Sequence, residues 1–175
     1  MKKLILSIFI AKVSFASAQI IIGDAVGTAL VKTSVLLEFA AGQNKGIIVP
    51  YVRTMPATPT EGTILLDASN ATTARMKYYN GTWKDLSGQD ANVTAALANQ
   101  PSSIAETGKS IIGATSTSAD GVLVLESATK AMVLPIVANV QNIPSPSPGM
   151  MVYINKFGTK RLAVFNGYKW SYWAP

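Results

Sequence analysis

The residues that could do chemistry in this chain are nine carboxylates, because its 175 residues include no His and no Cys. Glycosidic hydrolysis needs two carboxyl groups that face each other across a sugar, and these nine form no recognisable pair. Because the chain lacks His and Cys, it contains neither a Ser-His-Asp triad nor a thiol nucleophile. The sequence therefore predicts no enzyme, no catalytic residue, no metal site and no cofactor. The carboxylates are Asp24, Glu38, Glu61, Asp67, Asp85, Asp90, Glu106, Asp120 and Glu126.

Aromatic side chains near the C-terminus suggest a second function, since an aromatic ring offers an apolar face on which a sugar can stack. Trp83 and Trp170 each follow an Asn-Gly pair, and such matched positions favour a structural duty in a core. Tyr168, Tyr172 and Trp173 have no clear earlier counterpart. We predict these three as ligand or partner contacts, either in a carbohydrate-binding module or at an oligomer interface.

The first 18 residues, 1–18, predict a secretory signal peptide. Lys2 and Lys3 give it a positive start, Leu4–Ala11 an apolar centre, and Ala16-Ser17-Ala18 a small-residue cleavage site. The apolar stretch is shorter than the roughly 20 residues of a membrane-spanning helix. We expect an exported protein, extracellular or at the cell surface with the periplasm as an alternative, and without a transmembrane anchor after cleavage.

The positive charge of the chain comes largely from this segment. Its three lysines account for half of the net charge of +6, so cleavage leaves twelve basic against nine acidic residues. The remaining basic residues are scattered along the sequence. Nucleic-acid binding needs a clustered basic patch, so we exclude it.

An internal repeat is the most informative pattern in the sequence. Six landmarks recur in the same order at offsets of 85 to 90 residues. We predict a first β module at residues 20–87, a connector at 88–109 with a short helix near 93–99, and a second β module at 110–175. Eight residues at matching places in the two copies are predicted to be structural. They are Pro50, Asn80, Gly81 and Trp83 in the first copy, and Pro135, Asn166, Gly167 and Trp170 in the second.

Short β-branched runs separated by turn residues predict a mostly β fold, with two copies of a small antiparallel module and a short helical or irregular connector. Each copy is expected to contain a hairpin, a proline loop and a three-stranded meander. In the first copy, Val35–Phe39 and Gly46–Val52 form the hairpin. Asn80-Gly81 is expected to be a two-residue type I′ turn, which needs positive φ at both positions.

The order of motifs resembles a module of exported Bacteroidetes surface proteins. These motifs are Ile-Gly, Ser-x-Leu-Leu-Glu, Lys-Gly-Ile-Ile-Val-Pro, Pro-x-x-Gly-Thr-Ile and Tyr-Asn-Gly-Thr-Trp. Similar modules resemble the shaft segments of phage tail fibres and trimeric adhesins. The resemblance covers Ile20–Leu86 and again Ser110–Trp173. It implies a structural or adhesive surface protein that either self-associates, with a homotrimer as one form, or attaches to other surface proteins.

A physical argument also favours association. A module of about 65 residues has a small core and is marginal alone without disulfides or metals. Docking of two copies, or strand sharing between chains, buries more apolar surface. The predicted mechanism is surface complementarity, with the loops Arg53–Gly62 and Gln141–Gly149 facing a partner or a neighbouring subunit. A monomeric two-module sandwich and a glycan-binding module remain the alternatives.

Overall fold

The computed structural model describes residues 19–101 and 108–173. The predicted signal peptide and part of the predicted connector lie outside these residues. Seven strands precede a short helix, α1 (Thr94–Ala98), and seven follow it. The first seven are β1 (Ile20–Ile22), β2 (Val35–Phe39), β3 (Ile47–Ile48), β4 (Tyr51–Val52), β5 (Ile64–Asp67), β6 (Arg75–Tyr79) and β7 (Trp83–Asp85). The others are β8 (Ser110–Ile112), β9 (Leu123–Leu125), β10 (Ala131–Met132), β11 (Ile136–Val137), β12 (Met150–Ile154), β13 (Arg161–Phe165) and β14 (Trp170–Trp173), with a 3-10 helix at Val140–Asn142.

The mostly β prediction is confirmed, and the strands form two kinds of sheet. The parallel sheets are the three-stranded β1-β2-β10 and the two-stranded β8-β9, in which every pair is parallel. The meander sheets are β4-β5-β6-β7 and β11-β12-β13-β14, with β3 also paired to β12. In each meander sheet one parallel pair is followed by two antiparallel pairs.

The two halves of the chain pair their strands in the same order. Ile22 lies opposite Phe39 in the first parallel sheet, and Ile112 lies opposite Leu125 in the second. In both sheets the residue after the last paired position donates one more hydrogen bond to the neighbouring strand. The Ala40 N–H donates to the carbonyl of Ile22 at 2.9 Å, and the Glu126 N–H donates to the carbonyl of Ile112 at 2.8 Å. By this register Leu123 on β9 corresponds to Leu37 on β2. The assignment of the halves as domains stays a prediction.

Pro50 and Pro135 also take matched places. The carbonyl of Pro50 accepts the N–H of Leu66 at 3.0 Å, and that of Pro135 accepts the N–H of Tyr153 at 2.9 Å. Each proline thus begins the strand that runs parallel to the first long strand of its meander. Proline fits such a position because it lacks an N–H but keeps its carbonyl acceptor.

The predicted hairpin between Val35–Phe39 and Gly46–Val52 is not formed. Instead β2 lies between β1 and β10, β3 pairs with β12, and β4 pairs with β5 in parallel. Four of the five residues of β2 are buried, so the strand is covered on both faces. In place of the predicted antiparallel neighbour, β2 has a parallel neighbour on each edge, as is common for strands that are buried on both faces.

The Asn-Gly turns also differ from the predicted type I′ geometry. Tyr79 lies opposite Trp83, so the first turn is a three-residue loop, and within it Gly81 has a φ of 85° whereas Asn80 keeps a negative φ. The matched loop in the second half is one residue longer, since Phe165 lies opposite Trp170. A single positive φ at glycine is enough for these longer loops.

One core fills the space between the two meander sheets. It receives side chains from both halves and from the predicted connector, where Val93 and Leu97 are buried. The segment 88–101 is therefore part of the core as well as a link. The buried members are Val49, Leu66, Ala68, Ala74, Met76, Leu86, Ala91, Val93, Leu97, Met151 and Val164.

A second core lies on the other face of the second meander sheet. The segment that contains β11 and the 3-10 helix folds over this face and buries it. Phe165 and Trp170 pack against the cluster from its side. The buried members are Val137, Val140, Ile143, Met150, Val152, Ile154 and Ala163.

Candidate functional site

Most of the candidate carboxylates are engaged in local hydrogen bonds and ion pairs. Asp67 pairs with Lys77 at 2.7 Å, and Arg75 bridges Asp85 at 2.7 Å and Asp90 at 2.6 Å. All three aspartates lie on or beside the first meander sheet. These contacts support the predicted structural role of the carboxylates.

The electrostatics of two of these groups agree with that role. Burial raises the pKa of Asp85, but the N–H and hydroxyl of Ser87, the N–H of Gly88 and the Arg75 guanidinium outweigh it and leave the pKa below its ordinary value. Burial likewise opposes ionisation of Asp67, and Lys77 with Ser69 lowers its pKa overall. Both groups are therefore held ionised, which is the opposite of what a general acid needs.

Glu38 is a fully buried carboxylate on β2 and holds the preceding loop. It accepts the backbone N–H groups of Thr28 and Ala29, each at 2.8 Å, and the ammonium of Lys32. Burial raises its pKa, but these donors together lower it below the ordinary value. The carboxylate also lies where a Cβ on Gly27 would be, so this loop closes tightly over it.

Glu126, the predicted counterpart of Glu38, does not occupy the matched register position. Glu38 lies opposite Ile21 within β2, whereas Glu126 follows β9, two residues further along in the shared register. A shift of two residues keeps a side chain on the same face of a strand. Glu126 accepts the hydroxyl of Thr117 and so also ties down the loop that precedes its strand.

Residues 19–101 and 108–173 show neither a cluster of metal-binding side chains nor a long apolar helix. In these two stretches no three Asp, Glu, His or Cys side chains come together as a group that could hold a metal ion. No helix in the same stretches has the length and apolar character needed to cross a membrane.

Trp173 lies between the two meander sheets. Its indole N–H donates to the carbonyl of Leu86 at 3.0 Å, although 45% of the residue remains exposed. Two positions earlier on the same face of β14, the hydroxyl of Ser171 donates to the carbonyl of Ser87 and accepts the amide of Gln89 at 3.0 Å. This face of β14 therefore joins the end of the second meander to the end of the first.

Trp173 also closes one side of an apolar cleft of about 300 Å³ between the sheets. Most of the lining side chains are hydrophobic, and Tyr78 is the lining residue that carries a hydroxyl group. Recognition of a sugar needs several convergent hydrogen-bonding groups as well as a ring. The lining residues are Gly62, Ile64, Tyr78, Leu86, Met151, Leu162 and Trp173.

The other two predicted contact residues lie elsewhere. Tyr172 points to the opposite face from Trp173 because neighbours in a strand alternate, and the Arg161 guanidinium lies 4.2 Å from its ring centre. Tyr168 is in the loop before β14, is 63% exposed, and has the Lys169 ammonium 4.9 Å from its ring centre. The three rings therefore do not form one platform, and their role in binding stays a prediction.

The matched tryptophans each pack on a ring of the neighbouring strand. Trp83 lies 5.2 Å from Tyr79 and Trp170 lies 5.2 Å from Phe165, measured between ring centres. Such tilted pairs stabilise a sheet beyond their buried area. Both tryptophans are half-buried, and Trp170 borders the second core.

Asn166, one of the predicted landmarks, is fully buried in the second Asn-Gly loop. Its side-chain oxygen accepts the N–H groups of Tyr168 and Lys169, at 3.0 and 3.1 Å. Its amide donates to the carbonyl of Gln89 at 2.7 Å, across to the other half of the chain. Asn166 therefore shapes its own turn and also fixes the segment that leads into α1.

The two predicted contact loops are also tied to the rest of the fold. Arg53, at the start of the first loop, donates to the carbonyl of Leu97 at 2.7 Å. In the second loop Ile143 is buried in a core, and the carbonyl of Pro148 accepts the Tyr51 hydroxyl at 2.8 Å. The start of the first loop is therefore fixed to α1, and the end of the second loop is fixed to the first half of the chain.

The parallel sheets and the loop between β1 and β2 carry several exposed apolar residues. Ile20 and Ile22 on β1 are 41% and 50% exposed, and Val122 and Leu123 at β9 are 65% and 51% exposed. Val26, Leu30 and Val31, in the loop between β1 and β2, are exposed as well. Apolar residues grouped in this way commonly mark a protein–protein contact.

β9 differs from its counterpart β2 in having one neighbour. β2 pairs with β1 on one edge and with β10 on the other, whereas within residues 19–101 and 108–173 β9 pairs with β8 alone. The run from Gly121 to Leu125 contains no Lys and no Pro, the residues that commonly protect such an edge from pairing. The edge of β9 is thus an unprotected site for strand addition.

Comparison with known proteins gives one match. Residues 111–174, which are 64 of the 175 residues, match a family described as phage tail like trimerisation region. The matched stretch begins on β8 and includes β9 and the whole second meander sheet. No curated protein and no solved structure matches the chain. The second half of the chain is therefore similar to a structural region of phage tail-like proteins.

Proposed function

We propose that this protein is an exported, non-catalytic structural subunit that assembles as a homotrimer into a fibre-like component of the cell surface. The observation that carries the proposal is the similarity of residues 111–174 to a phage tail like trimerisation region. The predicted signal peptide supports export, and the resemblance of the motifs to surface-protein modules supports a place outside the cell.

The distribution of apolar surface supports assembly. The meander sheets bury their apolar residues in two cores, whereas the parallel sheets leave β1 and β9 exposed. The exposed residues of β9 lie inside the stretch that resembles a trimerisation region. A chain that buried these residues against copies of itself would gain the stability that small modules lack.

The distribution of charges supports a structural rather than a catalytic role. Asp67 and Asp85 are held ionised by their neighbours, and Glu38 is enclosed by the loop that it anchors. The rings of Tyr172 and Trp173 point to opposite faces of β14. No arrangement of the described residues favours the carbohydrate-binding alternative over assembly.

The test is the mass and shape of the exported form, Gln19–Pro175, by light scattering on a sizing column and by small-angle scattering. We expect three chain masses and an elongated particle. A compact particle of one chain mass over the whole accessible concentration range would refute the proposed assembly, and a glycan screen would then test the alternative.

A further inference from the structure

The backbone of β9 shows which of its groups are free. The carbonyl of Val122 accepts the N–H of Ser110, and the N–H of Glu126 donates to Ile112, each at 2.8 Å. The N–H and C=O of one residue in a strand point to the same side, and the side alternates along the strand. Leu123 therefore directs its N–H and C=O away from β8, to the open edge.

The matched residue on β2 shows what such an edge binds in this fold. The carbonyl of Leu37 accepts the N–H of Val133 at 2.8 Å, and the carbonyl of Ser34 accepts the N–H of Ala131 at 2.8 Å. Met132 lies opposite Leu37 in this parallel pair. The strand that covers β2 thus comes from the other half of the chain.

The counterpart of β10 in the first half is β3. Lys130-Ala131-Met132-Val133 matches Lys45-Gly46-Ile47-Ile48 in type and order. β3 uses one edge to pair with β12, and its second edge has no partner strand within residues 19–101 and 108–173. Ile48 on β3 is 52% exposed.

From this precedent, we propose that the open edge of β9 binds β3 of a second copy of this chain in parallel, with Ile47 of the second copy opposite Leu123. The proposal rests on the proposed function and names the interface of that assembly. The N–H of Ile48 then donates to the carbonyl of Leu123, as Val133 donates to Leu37. The outer edges of β1 and β8 also lack a partner strand in the described part of the chain, but there neither has a counterpart whose edge is paired.

Charge supports a second copy as the occupant. In this register Lys45 of the second copy comes beside Asp120, just as Lys130 comes beside Ser34 in the pair that forms within the chain. Lys45 and Asp120 are both exposed, and neither belongs to an ion pair in the described part of the chain. Contact between them satisfies both charges.

The geometry also fits a closed assembly. The two surfaces, β9 in one half and β3 in the other, lie on different parts of each chain, so the contact is head-to-tail. Such contacts form a ring when the rotation between neighbours closes. Three copies then use three identical β9–β3 pairs, with no open β9 edge.

A cysteine pair tests the register, since the chain has no native Cys. We expect Ile47→Cys combined with Leu123→Cys to give disulfide-linked dimers and trimers on a non-reducing denaturing gel after mild oxidation. The matched control is Ile47→Cys with Val124→Cys, because neighbouring residues point to opposite faces of β9. We expect this control to link at least tenfold less.

A substitution provides an independent test. Leu123→Lys places a charge on the edge, and we expect the concentration for half-assembly to rise at least tenfold in light scattering. Phe157→Lys is the control, since Phe157 is 98% exposed and lies in the loop between β12 and β13, outside both β9 and β3.

The outcomes separate the two proposals. A trimer in which Leu123→Lys assembles like the unchanged chain, or in which the control cysteines link equally well, overturns this interface and leaves the trimer intact. A monomer at all concentrations overturns the proposed function itself, and with it the interface. Selective linkage together with weakened assembly of Leu123→Lys supports both.

Discussion

β2 and β9 are strands of similar type in matched positions, but their surroundings differ. Both are short apolar strands that follow a loop and pair in parallel with an isoleucine strand. Leu37 on β2 is 1% exposed, whereas the matched Leu123 on β9 is 51% exposed. The two strands also differ in pairing, because β10 pairs with the second edge of β2 and no described strand pairs with that edge of β9. Strands of similar type can thus differ in burial when their neighbours differ.

The same contrast separates the two kinds of sheet. The meander sheets pack on each other through one core, so each supplies the cover that the other needs. The parallel sheets contribute no residue to either core, although Val35, Leu36 and Leu37 are buried. The meander sheets thus share the main core of the single chain, whereas β1 and β9 of the parallel sheets keep exposed apolar residues.

The largest expected effect is a difference in the free energy of unfolding between alanine variants of the two matched leucines, Leu37 and Leu123. We expect Leu37→Ala to lower the free energy of unfolding by about 2–5 kcal/mol, because it leaves a cavity beside a buried strand. Leu123→Ala removes an exposed side chain, and we expect a loss below about 1 kcal/mol. Urea unfolding at a concentration where the chain is dissociated measures both.

The concentration dependence sharpens this test. Assembly stabilises the folded state by mass action, so the cost of Leu123→Ala should grow as concentration rises, whereas that of Leu37→Ala stays constant. Equal costs for the two variants at low concentration would show that β9 is already covered within the chain.

The two glutamates allow a second comparison. Glu38→Gln leaves the N–H groups of Thr28 and Ala29 and the Lys32 ammonium without their charged acceptor, and we expect a loss of about 1–3 kcal/mol at neutral pH. Glu126→Gln weakens a single bond to Thr117, so its effect should be smaller. Thermal unfolding of both variants measures the difference.

The pH dependence has a definite sign. The pKa of Glu38 is lower in the folded chain than its ordinary value of 4.5. Its stabilisation is therefore complete above that value and is lost as pH falls through the folded pKa. We expect Glu38→Gln to flatten the acid side of the stability profile. An unchanged acid limb would show that the Glu38 carboxylate is not held by the loop.

Some of this fold could be predicted from the sequence. The β content follows from short β-branched runs bounded by glycine and proline, and the last three strands of each meander follow from local turns. The core role of 88–101 was missed, although Val93, Ala96 and Leu97 have the spacing of one helix face. The many Ala, Asn and Gln residues of this segment made the apolar spacing hard to recognise.

The pairing of β2 could not be predicted because its neighbours are chosen over long distances. A local reading joins Val35–Phe39 to the next apolar run, and the loop between them is suitable for a hairpin. The choice between this hairpin and pairing with β10 depends on contacts between segments far apart in the sequence, such as Val35 with Ala131. No local sequence pattern shows which distant strands pair. For the same reason, the sequence did not show that Glu126 lies two residues beyond the register position of Glu38.

The aromatic residues at the C-terminus give a third comparison, with a smaller effect. Trp173→Phe removes one hydrogen bond to Leu86, and we expect a loss of about 0.5–1.5 kcal/mol. The control is Tyr172→Phe, whose hydroxyl is on a 44% exposed side chain, so we expect a change below about 0.5 kcal/mol.

Tryptophan fluorescence with a panel of polysaccharides examines the sugar-binding alternative in the same proteins. We expect no shift. A shift abolished by both Tyr172→Ala and Trp173→Ala would contradict the division of these rings between two faces, and would favour a binding module.

The smallest expected effect concerns Lys45 and Asp120. Exposed ion pairs contribute about 0.2–1 kcal/mol, so we expect Lys45→Glu or Asp120→Lys alone to weaken assembly by at most about fivefold per contact. The two changes together restore the pair with its charges exchanged, and we expect assembly to recover. Sedimentation at several protein concentrations measures each variant.

Salt makes this last test specific, because the attraction between exposed charges is screened as ionic strength rises. The difference between the single variants and the unchanged chain should shrink in 1 M salt, whereas the defect of Leu123→Lys should persist in part, since it also removes apolar contact. Recovery in the double variant at low salt would place Lys45 of one chain beside Asp120 of the next. If assembly of the double variant did not recover, the proposed register of β3 on β9 would be wrong, although the edge of β9 would still lack a partner strand in the described part of the chain.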